Sequence, residues 1–184
     1  MTRAEKYVRE NLAAELEEVQ ASPIANVENG LTIYEKTLIY HYTKDGYASV
    51  NRALREGAKR SELSVLLERS LKKLPDYVDT VHRTVFLGNT ALARYRDALL
   101  TGAPVTEVAF ISSSRSPKTA RIMPRYNTRF QIVSKHGKRI EDISCAGSHT
   151  IENEKEVLFC PGSKFEVLQV TTTPNYVLIK MVEL

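Results

Sequence analysis

Along the first twenty residues, MTRAEKYVRENLAAELEEVQ, the apolar positions Val8, Leu12, Leu16 and Val19 recur among charged neighbours at helical spacing. They fall on one face of a helix, and Pro23 follows its expected end. In HYTKDGYASVNRALREG, Tyr47, Val50 and Leu54 share a helical face and Gly57 is suited to stop it. Ser61 can cap a third helix carrying Leu63, Leu66, Leu67, Leu71 and Leu74, closed by Pro75. TVHRTVFLG then changes character: its β-branched and aromatic residues predict a strand. TALARYRDALLTG returns to helix, with Leu92, Tyr95 and Leu99 on one side.

The second half reads as strands. EVAFISSS begins apolar on both faces and ends in hydroxyls. RFQIVSK and RIEDIS, joined at His136-Gly137-Lys138, predict a hairpin. KEVLFC, KFEVLQV and YVLIKMV follow, separated by Pro-Gly and Thr-Pro-Asn turns. Helices first and strands afterwards argue for an α+β fold with an antiparallel or mixed sheet, against a doubly wound parallel one.

At 184 residues the chain is long enough for one domain with a core of its own. Its 42% hydrophobic and 26% charged content is ordinary for a globular protein. No apolar run reaches the ~18 residues of a membrane span, and the N-terminus has no signal-peptide core. The expectation is a cytoplasmic protein, or one delivered into a target cell by a specialised secretion system, with no membrane partner. Cys145 and Cys160 make neither a disulfide framework nor a CxxC pair, and no Cys/His cluster has zinc spacing. Both are expected as reduced thiols, and no metal site is expected. The formal net charge is +4, but from Val108 to Ile140 there are eight basic residues and no acidic one, so the remainder carries −4. Such a segment either seeks phosphates or an acidic partner, or is a solvated loop.

Three features carry candidate chemistry. VHRTVF places Arg83 inside an apolar strand, where a guanidinium is costly unless it meets an anion. It is either half of a salt bridge or a clamp for phosphate or carboxylate. FISSSRSP ends a buried strand in Ser112, Ser113 and Ser114; alternation sends Ser112 and Ser114 one way and Ser113 the other. They are either a strand dissolving into a loop, or hydroxyls that brace a neighbouring strand or hold a polar ligand. In IENEKEVLFC, Glu152, Glu154 and Glu156 stand at alternate positions before an apolar strand. As strand residues, Glu154 and Glu156 project from the same face, either as a solvated edge or as paired carboxylates in a pocket.

Taken in order, these stretches resemble the mono-ADP-ribosyltransferases of the Arg-Ser-Glu class, the bacterial toxin and phage branch with a Glu-x-Glu motif. HRTVF is similar to the family's arginine strand and FISSS to its Phe-x-Ser-Thr-Ser strand, with Ser113 in place of the more usual threonine. ENEKEVLFCPGSKFEVL is similar to its Glu-x-Glu strand, and YTKDGYASVNRALREG to its N-terminal helix near the adenosine side. The resemblance covers Tyr40 to Val170. It implies N-terminal helices packed on a split, mainly antiparallel β-sandwich, with residues 1–30 as helix and lead-in and 31–184 as catalytic core.

It also implies an enzyme that uses NAD as substrate and no metal. Arg83 would bind the NAD phosphate and nicotinamide ribose, and Thr84 would line the pocket. Ser112 would orient the catalytic glutamate or NAD, supported by Ser113 and Ser114. Glu156 would be the catalytic carboxylate, Glu154 would act on the acceptor, and Phe130 would stack on nicotinamide. Glu152 matches nothing and is expected to be a solvated loop residue. The Glu-x-Glu form goes with arginine acceptors, so the implied reaction is transfer of ADP-ribose to a protein arginine. The acid-free segment keeps RNA as a second acceptor, and NAD hydrolysis is the outcome when no acceptor docks. The implied partners are NAD, an arginine-bearing protein or RNA, and a cognate immunity protein. A non-catalytic nucleic-acid-binding module would explain the basic segment, yet leaves Arg83 and the paired glutamates unexplained.

Overall fold

The computed structural model describes residues 1–120 and 125–184, which form two compact units: Met1–Pro75 with Lys138–Glu156, and Asp76–Gly137 with Val157–Leu184. In the first unit the expected opening helix is two, α1 (Arg3–Asn11) and α2 (Ala13–Gln20), broken at Leu12 with φ −134° and ψ 37°. The Leu12 amide still donates to Val8 O at 2.8 Å, and its carbonyl accepts from Leu16 N at 3.0 Å. The stripe Val8, Leu12, Leu16 and Val19 therefore stays buried through the break.

A 3-10 turn at Pro23–Asn26 leads to α3 (Ile33–His41), which starts with a reciprocal capping box between Thr32 and Glu35. A π-helical turn, Tyr42–Gly46, joins α3 to α4 (Tyr47–Arg55). The wider turn shifts which residues face inward. Tyr42 is 1% exposed, its hydroxyl accepting from Asn51 Nδ2 at 2.9 Å, whereas Tyr47 is 53% exposed. Tyr47 thus departs from the expected Val50 face. In α5 (Glu62–Leu71), Ser61 Oγ caps by accepting from Ser64 N at 3.2 Å, and the leucines from Leu63 to Leu74 are buried as their spacing implies.

The remaining regular elements are β1 (Asp76–Tyr77), β2 (Thr80–Val85), α6 (Asn89–Thr101), β3 (Val105–Thr106), β4 (Ile111–Ser114), β5 (Thr128–Val133), β6 (Gly137–Arg139), β7 (Glu156–Phe159), β8 (Lys164–Thr172) and β9 (Val177–Glu183). They include a nine-stranded sheet in the order β1-β6-β7-β4-β2-β5-β9-β8-β3. The pairs β2–β4, β2–β5, β3–β8 and β8–β9 are antiparallel, and β5–β9 is parallel. Helices followed by a mainly antiparallel sheet match the α+β expectation.

Two local expectations are corrected. RFQIVSK and RIEDIS do not form a hairpin, because β5 is taken by β2 and β9. The polar groups of the intervening turn are used elsewhere: the buried Glu183 carboxylate accepts the Lys135 and His136 amides at 2.8 and 2.7 Å, and Ser134 Oγ donates to Tyr77 O at 2.7 Å. After Arg139 the chain turns, burying Ile140 and Ile143 at a spacing no strand would use. On α6 the third buried position is Ala98, while Leu99 is 37% exposed. Val81, Leu92, Tyr95, Phe130, Val157, Phe159, Phe165 and Ile179 are among the residues of this unit's apolar core.

Candidate active site

Sheet order sets β7, β4 and β2 side by side, the strands that begin with Glu156, carry the three serines and carry Arg83. β2 and β4 are in register at His82 opposite Ser114. On β2, Val81 belongs to the core and Arg83 follows it two residues later on the same face. The half-buried guanidinium reaches β4, donating from Nη1 to the Ser112 carbonyl at 2.6 Å. That contact holds the guanidinium against the backbone of β4. Beside it, burial and then the charge of Arg129 lower the His82 pKa, which favours a neutral imidazole next to Arg83 in the chain.

The serines divide their work. Ser113 Oγ is buried and donates to Val157 O at 2.8 Å, bracing β4 against β7 one residue after Glu156. Ser114 Oγ accepts from Ser116 N at 3.0 Å and closes the turn after the strand. Ser112 is half-buried. Thr84 pairs in register with Arg129, and Arg83 with Phe130. Phe130 itself is 3% exposed and meets the Tyr95 ring edge-on at 5.2 Å. A ring closed into the core on this scale does not offer a face for stacking, so the expectation for Phe130 does not fit its place.

The three glutamates are placed quite differently from one another. Glu156 opens β7 and is 4% exposed, with Val157 and Phe159 in the core behind it. Glu154 and Glu152 lie before the strand and are exposed. Lys155, between Glu154 and Glu156, has φ 51°, a left-handed conformation that side chains other than glycine adopt at a cost. The strand alternation expected for Glu154 and Glu156 therefore does not hold, because Glu154 lies before β7 and the left-handed Lys155 intervenes. Partial desolvation raises the Glu154 pKa above its ordinary 4.5, and the neighbouring Glu152 charge raises it further. Glu152 is thus electrostatically coupled to Glu154.

Several of the basic residues have internal duties. Lys138 is buried and its Nζ donates to Leu74 O at 2.9 Å, while Arg139 pairs with Glu141 and Asp142 at 3.3 and 3.0 Å. Arg115 stands over Tyr77 and Arg125 over Tyr126. Arg121 lies outside the described residues. Neither Cys145 nor Cys160 is in a disulfide. Among the described residues, no three His, Cys, Asp or Glu side chains are grouped to hold a metal ion, and no helix is long and apolar enough to cross a membrane.

Glu141 and Asn153, which no motif singles out, are linked across the loop that carries Glu152 and Glu154. Glu141 is 5% exposed and accepts from Asn153 Nδ2 at 2.8 Å. The closely spaced Ile140 and Ile143 were the available signal that RIEDIS turns, but nothing in the sequence pairs Glu141 with a residue twelve positions on.

Known proteins share the sequence and fold of this chain. The family model for the ADP-ribosyltransferase exoenzyme matches residues 16–182. Mav of Mycobacterium avium, assigned as an NAD(+)–arginine ADP-ribosyltransferase, is 36% identical over 149 residues, 78% of this chain and 17% of Mav. Vis of Vibrio splendidus, assigned the same activity, is 28% identical over 170 residues, 81% of this chain and 64% of Vis. The chain thus spans less than two thirds of either relative. Among solved structures, ADP-ribosyltransferase HopU1 of Pseudomonas syringae shares the fold with a TM-score of 0.72 at 21% identity, covering 98% of this chain and 86% of that one. Vis in complex with agmatine does so with a TM-score of 0.65 at 23% identity, covering 100% and 87%. With a family match along most of its length and the arginine, serine and glutamate strands adjacent in one sheet, this chain belongs to the ADP-ribosyltransferase exoenzyme family.

Proposed function

We propose that this protein is an NAD-dependent mono-ADP-ribosyltransferase that transfers ADP-ribose from NAD to an arginine side chain and releases nicotinamide. The observation that carries this reading is the neighbouring β2, β4 and β7, with a guanidinium held on a carbonyl on one strand and a buried carboxylate opening another. Arg83 binds the NAD phosphate and nicotinamide ribose. Thr84 lines the pocket. Ser112 orients the catalytic glutamate or NAD, while Ser113 and Ser114 hold the strand that carries them all.

The glycosidic bond breaks as nicotinamide leaves with the bonding electron pair, and positive charge develops on ribose C1 and the ring oxygen. Glu156 faces that charge with a fixed carboxylate, an interaction stronger in the transition state than in the ground state. A guanidinium nitrogen of the acceptor then forms the new bond to C1 and gives up a proton. Arginine resists that loss strongly, and Glu154 is assigned to attract the guanidinium and accept the proton. Its raised pKa makes it a better base than an ordinary glutamate. The agmatine complex of Vis supports a guanidine-bearing acceptor, since agmatine carries one. The internal contacts of Lys138 and Arg139 leave less of the basic segment to track a nucleic-acid backbone, which favours protein over RNA.

The test is nicotinamide release by the purified protein with NAD, in the presence and absence of agmatine, with mass spectrometry of the agmatine product. Release that persists in chelator and yields ADP-ribosyl-agmatine is expected. No release and no NAD binding would defeat the transferase reading, and label found on RNA would replace the acceptor.

The Glu152 coupling gives a pH prediction. Transfer requires ionised Glu154, and Glu152 holds the Glu154 pKa up. Glu152→Gln therefore lowers that pKa, and the acid limb of the transfer profile moves to lower pH. Agmatine transfer measured from pH 4 to 8 checks this; an unmoved limb refutes the coupling.

A further inference from the structure

Both amides flanking Glu154 are tied down. The Glu154 N–H donates to Ala146 O at 2.9 Å, and the Lys155 N–H donates to Asn153 Oδ1 at 2.8 Å. The other end of the Asn153 amide, Nδ2, donates to Glu141 Oε1 at 2.8 Å. Glu141 is buried, and its second oxygen lies 3.3 Å from Arg139 Nε. Its backbone carbonyl also accepts from Ser148 N at 2.9 Å. Gly147 packs so closely that an added Cβ would lie 2.2 Å from Glu141 O. At the far side of the loop, Cys145 N donates to Thr43 Oγ1 at 2.8 Å, which anchors it to the π-helical turn. Lys155 is held in its left-handed conformation inside this frame.

We infer that Glu141 and Asn153 are positioning residues for the acceptor step: Asn153 transmits the fixed place of the buried Glu141 to the backbone that aims Glu154. The inference rests on the assignment of Glu154 to the acceptor. Asn153 suits the task because one amide group supplies both a donor, for the carboxylate, and an acceptor, for the Lys155 N–H. Neither Glu141 nor Asn153 touches the reacting atoms. Their effect falls on the geometry of Glu154, and so on transfer more than on NAD cleavage, because a positioned base loses rate steeply when displaced.

The chemistry of the pair permits a reversal test in the full chain. Asn153→Asp sets a carboxylate against the Glu141 carboxylate and breaks the link. Adding Glu141→Gln restores it in the opposite sense: the new amide donates to one aspartate oxygen, and the other oxygen accepts the Lys155 N–H. Agmatine ADP-ribosylation, NAD hydrolysis and the thermal midpoint are measured for wild type, N153D, E141Q/N153D and E154Q. N153D is expected to lower the ratio of transfer to hydrolysis by about tenfold, the scale of one lost charge-assisted hydrogen bond. The double variant is expected to recover most of that ratio.

An unchanged ratio in N153D, no recovery in the double variant, or a parallel fall of both reactions with the thermal midpoint overturns the inference. E154Q separates this from the reading beneath it. Transfer lost in E154Q but normal in N153D removes the positioning role alone. Transfer intact in E154Q removes the acceptor assignment, and the positioning role with it.

Discussion

Glu156→Gln is expected to suppress nicotinamide release by about 10²–10³-fold, the cost of removing one preorganised electrostatic group, roughly 2.7–4 kcal/mol of transition-state stabilisation. Glutamine keeps the size of the side chain and much of its hydrogen-bonding shape, so the buried start of β7 should tolerate it. What it removes is the negative charge opposite the developing cation at ribose C1. That cation forms whether water or arginine follows, so the loss should be equal with and without agmatine. NAD affinity should change little, because the proposed phosphate contact of Arg83 is untouched. Steady-state nicotinamide release and NAD binding, measured on the same preparations, check both halves. Unimpaired release in the variant would remove Glu156 from the catalytic role.

Glu154→Gln should separate the two reactions that Glu156→Gln affects together. Transfer to agmatine is expected to fall about 10²-fold, within the range attached to a positioned general base. A guanidinium holds its protons tightly and is a poor nucleophile until one is taken, whereas water attacking the oxocarbenium needs far less help. Slow NAD hydrolysis should therefore remain measurable. The two carboxylates differ in placement as the proposed division of labour requires. Glu156 is buried at the head of a strand, and Glu154 stands exposed in the preceding loop where an acceptor can reach it. Product analysis by mass spectrometry, with free ADP-ribose and ADP-ribosyl-agmatine quantified together, checks the outcome. A parallel loss of both would return Glu154 to the NAD side of the site.

Strand periodicity and caps carried the secondary structure far into the sequence. Ser61, the α5 leucines, and the strands holding Arg83 and the serines were all legible, because burial and capping there depend on residues within a few turns. The break at Leu12 keeps the apolar spacing nearly intact, so the sequence shows one helix where the backbone makes two, whereas the π-helical turn after His41 shifts the inward face and leaves Tyr47 outside it. The hairpin assigned to RFQIVSK failed because a turn between two strand-like segments cannot reveal which partners are more favourable. Here the competing partners are β2 and β9, and the Glu183 carboxylate claims the amides of the turn.

By itself the sequence determined the α+β class, the arginine and serine strands and the carboxylates, since each depends on residue type and short-range spacing. Only the tertiary structure decided that Phe130 is core, that Lys138 is spent on the Leu74 carbonyl beyond α5, and that Glu154 lies outside the strand. The reason is physical. Whether a side chain is available depends on what distant segments bring to it, and the direction of Glu154 is set through Asn153 by a carboxylate twelve residues before Asn153. A left-handed Lys155 has no signature in a sequence, because its conformational cost is met by contacts that exist only once the loop has closed.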